Sequence, residues 1–344
     1  MTSQKEIFAL TDYKGNFGSK HKDIPYRSGM DKSKLVQYFK EANTNLIFIP
    51  FSEIDFSKNN YNNTYYIYTS SEDPKYYYKN YIEDVVYALQ LAGGCVIPDS
   101  NFLRANNNKV FMEYLRQIVL PKEFCKLKTY SLGTKEEILN YTDQILFPIV
   151  VKASQGASGT NVNLAVDKKD LIKKVKKVSK TFNLKDYVWE LTRTYLHKGY
   201  IKNSTHRKKY IVQEFIPNLQ KDWKVLVFGK RYFVLTRYNR KNDFRASGSK
   251  TNYKAGSRSE NTYEILNFAQ QIFKYLEIPH VSLDIAFDGD KYYLIEMQGV
   301  YFGTSVINMS DVYYENVNDQ WQPIPMKIDL EKIYSDSILN FLNL

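Results

Sequence analysis

The sequence predicts a mixed α/β protein with more than one domain. In residues 1–105, short runs rich in Val and Ile, which suit strands, alternate with stretches of helical spacing. Two later segments read as β-hairpins: residues 147–166 have a glycine-rich tip, and residues 281–299 carry carboxylates. A chain of 344 residues can bury a full core, and two or three subdomains are expected.

Residues 1–105 predict an αβ domain. Residues 32–42 suit a helix with Leu35, Val36 and Phe39 turned inward. A second helix is expected at residues 84–91, and strands are expected at residues 45–51, 65–69 and 95–97. Alternating elements of this kind favour a small, largely parallel sheet. No GxGxxG occurs, so a dinucleotide site is unsupported. The polar segment 15–31 is either a substrate loop or a plain surface loop.

The hairpin at residues 147–166 has the features of a phosphate-binding loop. Gly156 and Gly159 allow backbone conformations that other residues resist, so N–H groups of the loop can surround phosphate oxygens. Lys152 on the incoming strand supplies a positive charge. The loop runs into a second strand, and a helix starts only near Asp167, so it is not a Walker A loop. An ordinary hairpin turn is the alternative at this point.

Residues 168–180 predict a basic helix. Leu171, Ile172, Val175 and Val178 have helical spacing, which leaves the lysines on a solvated face. Residues 182–209, rich in aromatic and basic side chains, read as an insertion before the buried strand that starts at Tyr210.

A second hairpin, residues 222–237, predicts a charge pair across two strands. If Gly229 and Lys230 form the turn, Asp222 lies opposite Arg237 and Lys224 lies opposite Leu235. An Asp and an Arg facing each other in this way orient one another.

The hairpin at residues 281–299 predicts a metal site. A turn at residues 288–291 puts Asp284 almost directly across from Glu296, with Gln298 on the same face as Glu296. Two carboxylates about 4 Å apart repel by roughly 4 kcal/mol at an effective dielectric of about 20, so a cation or a shared proton is needed. Mg²⁺ bound to nucleotide phosphates fits. The alternative is that Arg or Lys neutralises the pair.

Composition bounds the partners and the compartment. Cys95 and Cys125 are not spaced like the ligands of a metal site and do not form a disulfide framework, so a cytoplasmic protein is expected. No apolar run approaches the roughly 20 residues of a membrane span, so no membrane span is expected. The N-terminus lacks the apolar core of a signal peptide. The formal charge of +11 suggests anionic partners. Much of the excess is Lys scattered among Asn and Tyr, which compositional bias also produces, so nucleic acid is disfavoured.

Taken in order over residues 106–310, these motifs resemble those of the ATP-grasp superfamily. One segment resembles the carboxylate-amine ligases of that superfamily, among them the α-L-glutamate ligases. It consists of Arg237 followed by Asp243, Phe244, Arg245 and Ala246-Ser247. Three departures are Lys224 where that family usually has Arg, Ala246 where it has Ser, and Gln298 where it has Asn. The resemblance implies an N-terminal αβ pre-grasp domain at residues 1–105 and an ATP-grasp domain at 106–344, with a lid subdomain at about 125–212 and a C-terminal subdomain at about 213–344.

The same resemblance implies ATP and Mg²⁺ as cofactors, with Mn²⁺ as an alternative metal. The residues it assigns to the nucleotide are Lys109, Lys152, Ser154, Gly156, Ser158, Gly159, Gln213, Glu214, Phe215, Ile216 and Asp222. It assigns the metal to Asp284, Glu296 and Gln298, and the carboxylate with its acyl phosphate to Arg237, Arg245 and Ser247.

The chemistry implied is phosphorylation of a carboxylate to an acyl phosphate, which an amine then attacks. A small-molecule or peptide carboxylate and an amine would be the substrates; sugar acids, amino acids and peptides are equally open, as is a homo-oligomer. The alternatives are an ATP-grasp phosphotransferase acting on a hydroxyl and a non-catalytic protein that binds ATP or nucleic acid.

Overall fold

Helices and strands alternate through much of the chain, as the sequence predicts. The structure is a computed structural model that describes residues 5–18, 28–57, 61–71, 73–156, 161–239 and 252–344. Within these ranges lie nine α-helices and three sheets, so the mixed α/β class is confirmed. No helix in these ranges is long and apolar enough to cross a membrane.

The strands and helices have the following bounds. The strands are β1 (Lys5–Thr11), β2 (Thr44–Pro50), β3 (Tyr65–Ile67), β4 (Cys95–Ile97), β5 (Thr129–Leu132), β6 (Ile149–Ala153), β7 (Val162–Ala165), β8 (Tyr210–Glu214), β9 (Lys221–Phe228), β10 (Arg231–Tyr238), β11 (Tyr253–Ala255), β12 (His280–Phe287), β13 (Tyr292–Gln298), β14 (Val312–Val317) and β15 (Gln320–Pro325). The helices are α1 (Lys32–Glu41), α2 (Tyr77–Leu91), α3 (Ser100–Ala105), α4 (Lys109–Val119), α5 (Lys168–Ser179), α6 (Leu184–Leu196), α7 (Thr262–Leu276), α8 (Ser305–Met309) and α9 (Leu330–Phe341).

The chain divides into two compact units. Unit 1 comprises residues 1–106, 220–287 and 294–344, and unit 2 comprises residues 107–219 and 288–293. The N-terminal residues therefore belong to the same unit as most of the C-terminal third.

The first sheet of unit 1 is parallel, as the sequence predicts. Its strand order is β2-β1-β3-β4, and the pairs β1/β2, β1/β3 and β3/β4 all run parallel. Helix α1 connects β1 to β2, and the side chain of Asp31 caps it by accepting from the N–H groups of Ser33 and Lys34. Leu35 and Phe39 are buried as expected, but Val36 is 37% exposed, so its predicted burial is wrong. Val36 lies about 100° around the helix from Leu35, away from the face that the i, i+4 pair defines.

The second sheet of unit 1 contains the hairpin with the predicted charge pair. The strand order is β13-β12-β9-β10-β14-β15, and β11 also pairs with β10. Asp222 lies opposite Arg237 and Lys224 lies opposite Leu235, so the predicted register is confirmed. Gly229 in the turn has φ +57°, a left-handed conformation that glycine adopts without strain.

One apolar core joins the two sheets of unit 1. Ile7 and Ala9 of β1 belong to the same buried cluster as Leu226 of β9, Phe233 of β10 and Ile338 of α9. Burial on this scale fixes the position of β9 and β10, which carry the charged side chains described below.

Unit 2 is built around a four-stranded sheet. Its order is β5-β8-β6-β7, and the pairs β5/β8, β6/β8 and β6/β7 all run antiparallel. Helix α5 starts directly after Asp167, whose side chain accepts from the N–H of Asp170, and it buries Leu171, Val175 and Val178. The predicted hairpin and the predicted basic helix are both confirmed.

A buried histidine begins strand β12. The ring of His280 stacks on Phe228 at 5.5 Å and lies 5.3 Å from Tyr334, between centroids. The side chain is 3% exposed. Burial lowers the pKa of His280 from 6.5 to about 3, because the charged form would lose its hydration.

This histidine should make folding acid-sensitive. In the unfolded chain His280 binds a proton below about pH 6.5, whereas in the folded chain it does so only below about pH 3. Between these two pH values the unfolded state binds more protons, so the free energy of unfolding should fall as the pH falls. The slope from this group is about 1.4 kcal/mol per pH unit. His280→Gln should remove that slope in urea titrations between about pH 6.5 and 4.

The matched control is His197→Gln, since His197 is exposed. It should leave the pH dependence unchanged. Equal slopes for wild type and His280→Gln would contradict the assignment.

Candidate active site

Four charged side chains lie on one face of three neighbouring strands. Asp222 and Lys224 are two residues apart on β9 and so share a face. Arg237 of β10 lies opposite Asp222, and Asp284 of β12 lies opposite Lys224. Positive and negative groups therefore alternate in both directions across the sheet. We call these four residues the charge quartet.

Arg237 is at the centre of the charge quartet. Its Nε donates to Asp222 Oδ1 at 2.6 Å, and its Nη2 lies 3.0 Å from Asp284 Oδ2. That second contact is an ion pair whose alignment is poor for a hydrogen bond, since Nη2 is buried without a hydrogen-bond partner. Lys224 Nζ lies 3.5 Å from Asp284 Oδ1. Arg237 and Lys224 thus neutralise Asp284. The alternative left open by the sequence, in which Arg or Lys neutralises Asp284 and Glu296 together, is not decided by these contacts.

The pairing shifts the protonation equilibria of these groups. Burial by itself would raise the pKa of Asp284, but Arg237 and Lys224 outweigh it and lower that pKa to about 2. Burial likewise favours neutral Arg237, yet Asp222 and Asp284 outweigh it and raise the pKa of the guanidinium. Burial raises the pKa of Asp222, and Arg237 offsets this only in part. Asp284 and Arg237 therefore stay charged at neutral pH.

Glu296 and Gln298 follow on β13, the strand next to β12. The turn before this strand is closed by the N–H of Asp288 and the carbonyl of Lys291 at 3.2 Å, the pair on which the predicted alignment depends. Gln298 Nε2 donates to Glu296 Oε1 at 3.1 Å, which turns the amide oxygen of Gln298 away from that carboxylate.

These side chains fit a hard divalent cation by donor type. The atoms with which Asp284, Glu296 and Gln298 could bind a metal are carboxylate and amide oxygens, which Mg²⁺ and Mn²⁺ prefer. The described residues contain no group of three or more His, Cys, Asp and Glu placed to hold a metal, and the predicted set has two carboxylates and one amide. The metal assignment stays a prediction.

The two predicted phosphate lysines both lie in unit 2 and both are buried. Lys152 Nζ donates to Gln213 Oε1 at 2.5 Å, and Lys109 Nζ donates to the carbonyl of Gly156 at 3.1 Å. The N–H of Lys109 donates to the carbonyl of Ser154 at 2.9 Å, which holds the first turn of α4 against the end of β6. Gly156 has φ +124°, a conformation that favours glycine. The structure therefore brings Lys109, Ser154 and Gly156 together.

Two buried charges beside Gln213 were missed. Gln213 Nε2 donates to Glu113 Oε1 at 3.3 Å, and Glu113 pairs with Arg116 one turn along α4. Glu113 and Arg116 are almost fully buried. The signal was available, because Lys109, Glu113 and Arg116 have i, i+4, i+7 spacing and so lie on one helix face.

Residues 213–216, which the resemblance assigns to the nucleotide, comprise the last two residues of strand β8 and the two residues after it. Gln213 is buried, Glu214 is exposed, and Phe215 and Ile216 are half-buried. The N–H of Glu214 donates to the carbonyl of Lys128 at 2.9 Å, which pairs the end of β8 with the start of β5. Four predicted site residues, Ser158, Gly159, Arg245 and Ser247, lie outside the described residues.

The fold is that of ATP-grasp proteins. The chain is similar to a RimK domain ATP-grasp protein from Sphaerobacter thermophilus (11% identity, TM-score 0.51, covering 97% of this chain and 99% of that one). It is similar to D-cycloserine synthetase DcsG (10% identity, TM-score 0.53, covering 97% and 98%). It is also similar to N5-carboxyaminoimidazole synthetase from Staphylococcus aureus in complex with ADP (10% identity, TM-score 0.51, covering 98% and 77%).

The family is shown by the sequence match. The RimK-like ATP-grasp domain family matches residues 107–311, more than half of the chain, so the protein belongs to this family. The resemblance stated from the motifs is thereby confirmed. No curated protein matches the chain.

Removing Arg237 should destabilise the protein strongly. Arg237→Met leaves two buried carboxylates without their shared cation, which typically costs about 3–5 kcal/mol. Urea unfolding followed by circular dichroism measures the loss. Adding Asp222→Asn to that variant should restore part of the stability, because one uncompensated charge is removed.

Arg231→Met is the matched control on the same strand. Arg231 pairs with Asp336 at 2.7 Å, but Asp336 also has Lys332 at 2.8 Å, so no carboxylate is left unpaired and the loss should be smaller than for Arg237→Met. An Arg237→Met variant no less stable than Arg231→Met would show that the charge quartet does not hold the sheet face together.

Proposed function

We propose that the protein is an ATP-dependent carboxylate-amine ligase. It activates a carboxylate as an acyl phosphate and joins it to an amine, with release of ADP and phosphate. One observation carries the proposal: Arg237 is fixed by Asp222 and Asp284 and still has hydrogen-bond donors left over. Its Nη1 makes no hydrogen bond to the described residues, whereas its Nη2 is buried against Asp284.

A fixed guanidinium with unused donors is suited to an anion. Arg presents planar, charge-assisted donors that match carboxylate and phosphate oxygens. Both the carboxylate substrate and its acyl phosphate are anions, so one side chain can bind the reactant and the intermediate. We assign this role to Arg237, assisted by Arg245 and Ser247.

Asp284 is not suited to be the base for a hydroxyl acceptor. A phosphotransferase acting on a hydroxyl needs a base near the oxygen that attacks, with a pKa close to the working pH. Arg237 and Lys224 lower the pKa of Asp284 to about 2, so this carboxylate is a poor base. A carboxylate substrate arrives already ionised and needs no base for the first step.

The remaining groups fit the same chemistry. Lys109 and Lys152 would bind the phosphates of ATP, together with the backbone of the loop that contains Ser154 and Gly156. The backbone of residues 213–216 would contact the adenine edge. Asp284, Glu296 and Gln298 would hold Mg²⁺, which offsets phosphate charge when bound.

The proposed reaction has two steps. A carboxylate oxygen attacks the γ-phosphorus and the bond to the departing ADP breaks, while Arg237 keeps the carboxylate in place. The amine nitrogen then attacks the acyl carbon, the bond to phosphate breaks, and the nitrogen loses a proton. Arg237 faces charge on oxygen in both steps, which is the condition for electrostatic stabilisation.

ATP affinity should depend on both lysines of unit 2. Loss of one charge-assisted contact weakens binding by roughly 10- to 150-fold, so Lys152→Met and Lys109→Met should each show this loss in titration calorimetry. Lys168→Met is the control, because Lys168 is exposed and pairs with Asp143. It should bind ATP like wild type. Wild-type affinity in both lysine variants would remove them from the nucleotide site.

The reaction class can be tested by trapping. Hydroxylamine converts acyl phosphates into hydroxamates, so the protein with ATP, Mg²⁺ and a panel of sugar acids, amino acids and short peptides should yield a hydroxamate without the natural amine. Omission of ATP should abolish it. Isolation of a stable phosphorylated alcohol would instead establish the phosphotransferase.

A further inference from the structure

The positive charge of the chain is concentrated in one segment. Residues 167–209, which we call the basic segment, contain fourteen Lys and Arg residues and four Asp and Glu residues, a net charge of +10. The rest of the chain contains 34 Lys and Arg residues and 33 Asp and Glu residues, a net charge of +1. The expectation of a scattered excess is therefore wrong.

The basic segment contains an amphipathic helix with an apolar face in water. Leu184, Tyr187, Val188, Leu191 and Tyr195 have i, i+3, i+4, i+7, i+11 spacing and lie along one face of α6. These five side chains, which we call the apolar stripe, are between 42% and 90% exposed. No other helix or strand of the described residues packs extensively against α6.

The polar side of α6 holds the chain that follows it. Glu190 accepts from the side chains of Arg193, Tyr200 and Asn203 and from the N–H of Asn203 at 2.9 Å. Glu190 lies well around the helix from the apolar stripe, so the returning chain leaves the stripe uncovered. A helix of 13 residues is marginal in water without tertiary packing, so an exposed apolar face of this kind calls for an occupant.

We propose that the basic segment docks on an anionic lipid surface. Helix α6 lies in the plane of the interface, the apolar stripe enters the boundary between headgroups and acyl chains, and the surrounding lysines contact anionic headgroups.

Shape and charge distinguish this occupant from others. A partner helix binds in a groove, whereas α6, against which no other described helix or strand packs extensively, offers a ridge, which suits a lipid surface. A second copy would bring another net charge of +10 to the same contact, which opposes self-association. Nucleic acid would use the cations and stack on aromatic rings, but it gives no role to Leu184, Val188 and Leu191.

Vesicle cosedimentation with the full chain tests the proposal. Wild type should bind phosphatidylcholine vesicles that contain phosphatidylglycerol far more tightly than vesicles of phosphatidylcholine alone, and added salt should weaken binding. Leu191→Glu should lower the partition coefficient about ten-fold or more, because one charge enters the apolar stripe. Thr192→Glu is the control: it makes the same charge change at the neighbouring exposed position, off the stripe, and should lower it by less than about three-fold.

Three outcomes would overturn the proposal. The first is no binding of wild type to the anionic vesicles at low salt. The second is an equal loss in Leu191→Glu and Thr192→Glu together with tight binding to a single-stranded oligonucleotide, which would indicate a nucleic-acid surface. The third is a wild-type dimer in light scattering that only Leu191→Glu dissociates, which would indicate a second copy. Circular dichroism of both variants confirms that they are folded.

Discussion

The buried guanidinium of Arg237 is the interaction on which the central sheet depends. Asp222 lies on β9, Asp284 on β12 and Arg237 on β10. Without Arg237, Asp222 would lose its ion-pair partner and Asp284 would keep only the longer contact with Lys224. Removing an ion from water costs several kcal/mol unless a partner of good geometry replaces the hydration. The strands β9, β10 and β12 must therefore keep one register for the charges to meet. Arg237, which we propose binds the substrate, therefore also stabilises the strands that position it.

Much of this face could be predicted from local sequence. The pairing of Asp222 with Arg237 follows from the position of one two-residue turn, because antiparallel partners are fixed once the turn is known. The contact of Lys224 with Asp284 could not be predicted in the same way. Strands β9 and β12 are neighbours in the sheet but far apart in the chain, and no turn connects them. Such pairing depends on the whole sheet order, which local spacing does not encode.

Unit 2 illustrates the same limit with a helix. The start of α5 was predictable because Asp167 caps it within the same short segment. The partners of Gln213 were not, because Glu113 comes from a helix one hundred residues earlier. Lys152 can only donate, so the oxygen of the Gln213 amide faces it and the nitrogen faces Glu113. These hydrogen bonds fix the lysine side chain before any ligand arrives.

The alternation of side chains in the charge quartet restricts where the chain can change length. One residue inserted within β10 ahead of Arg237, with the turn at Gly229 unchanged, would shift the pairing of every following residue, and Arg237 would face the opposite side of the sheet. The turn of Asn318 and Asp319 between β14 and β15 is under no such constraint, since β15 is the last strand in the order. Inserted labels, linkers or purification tags therefore belong at this outer turn, and related chains of different length should differ there first.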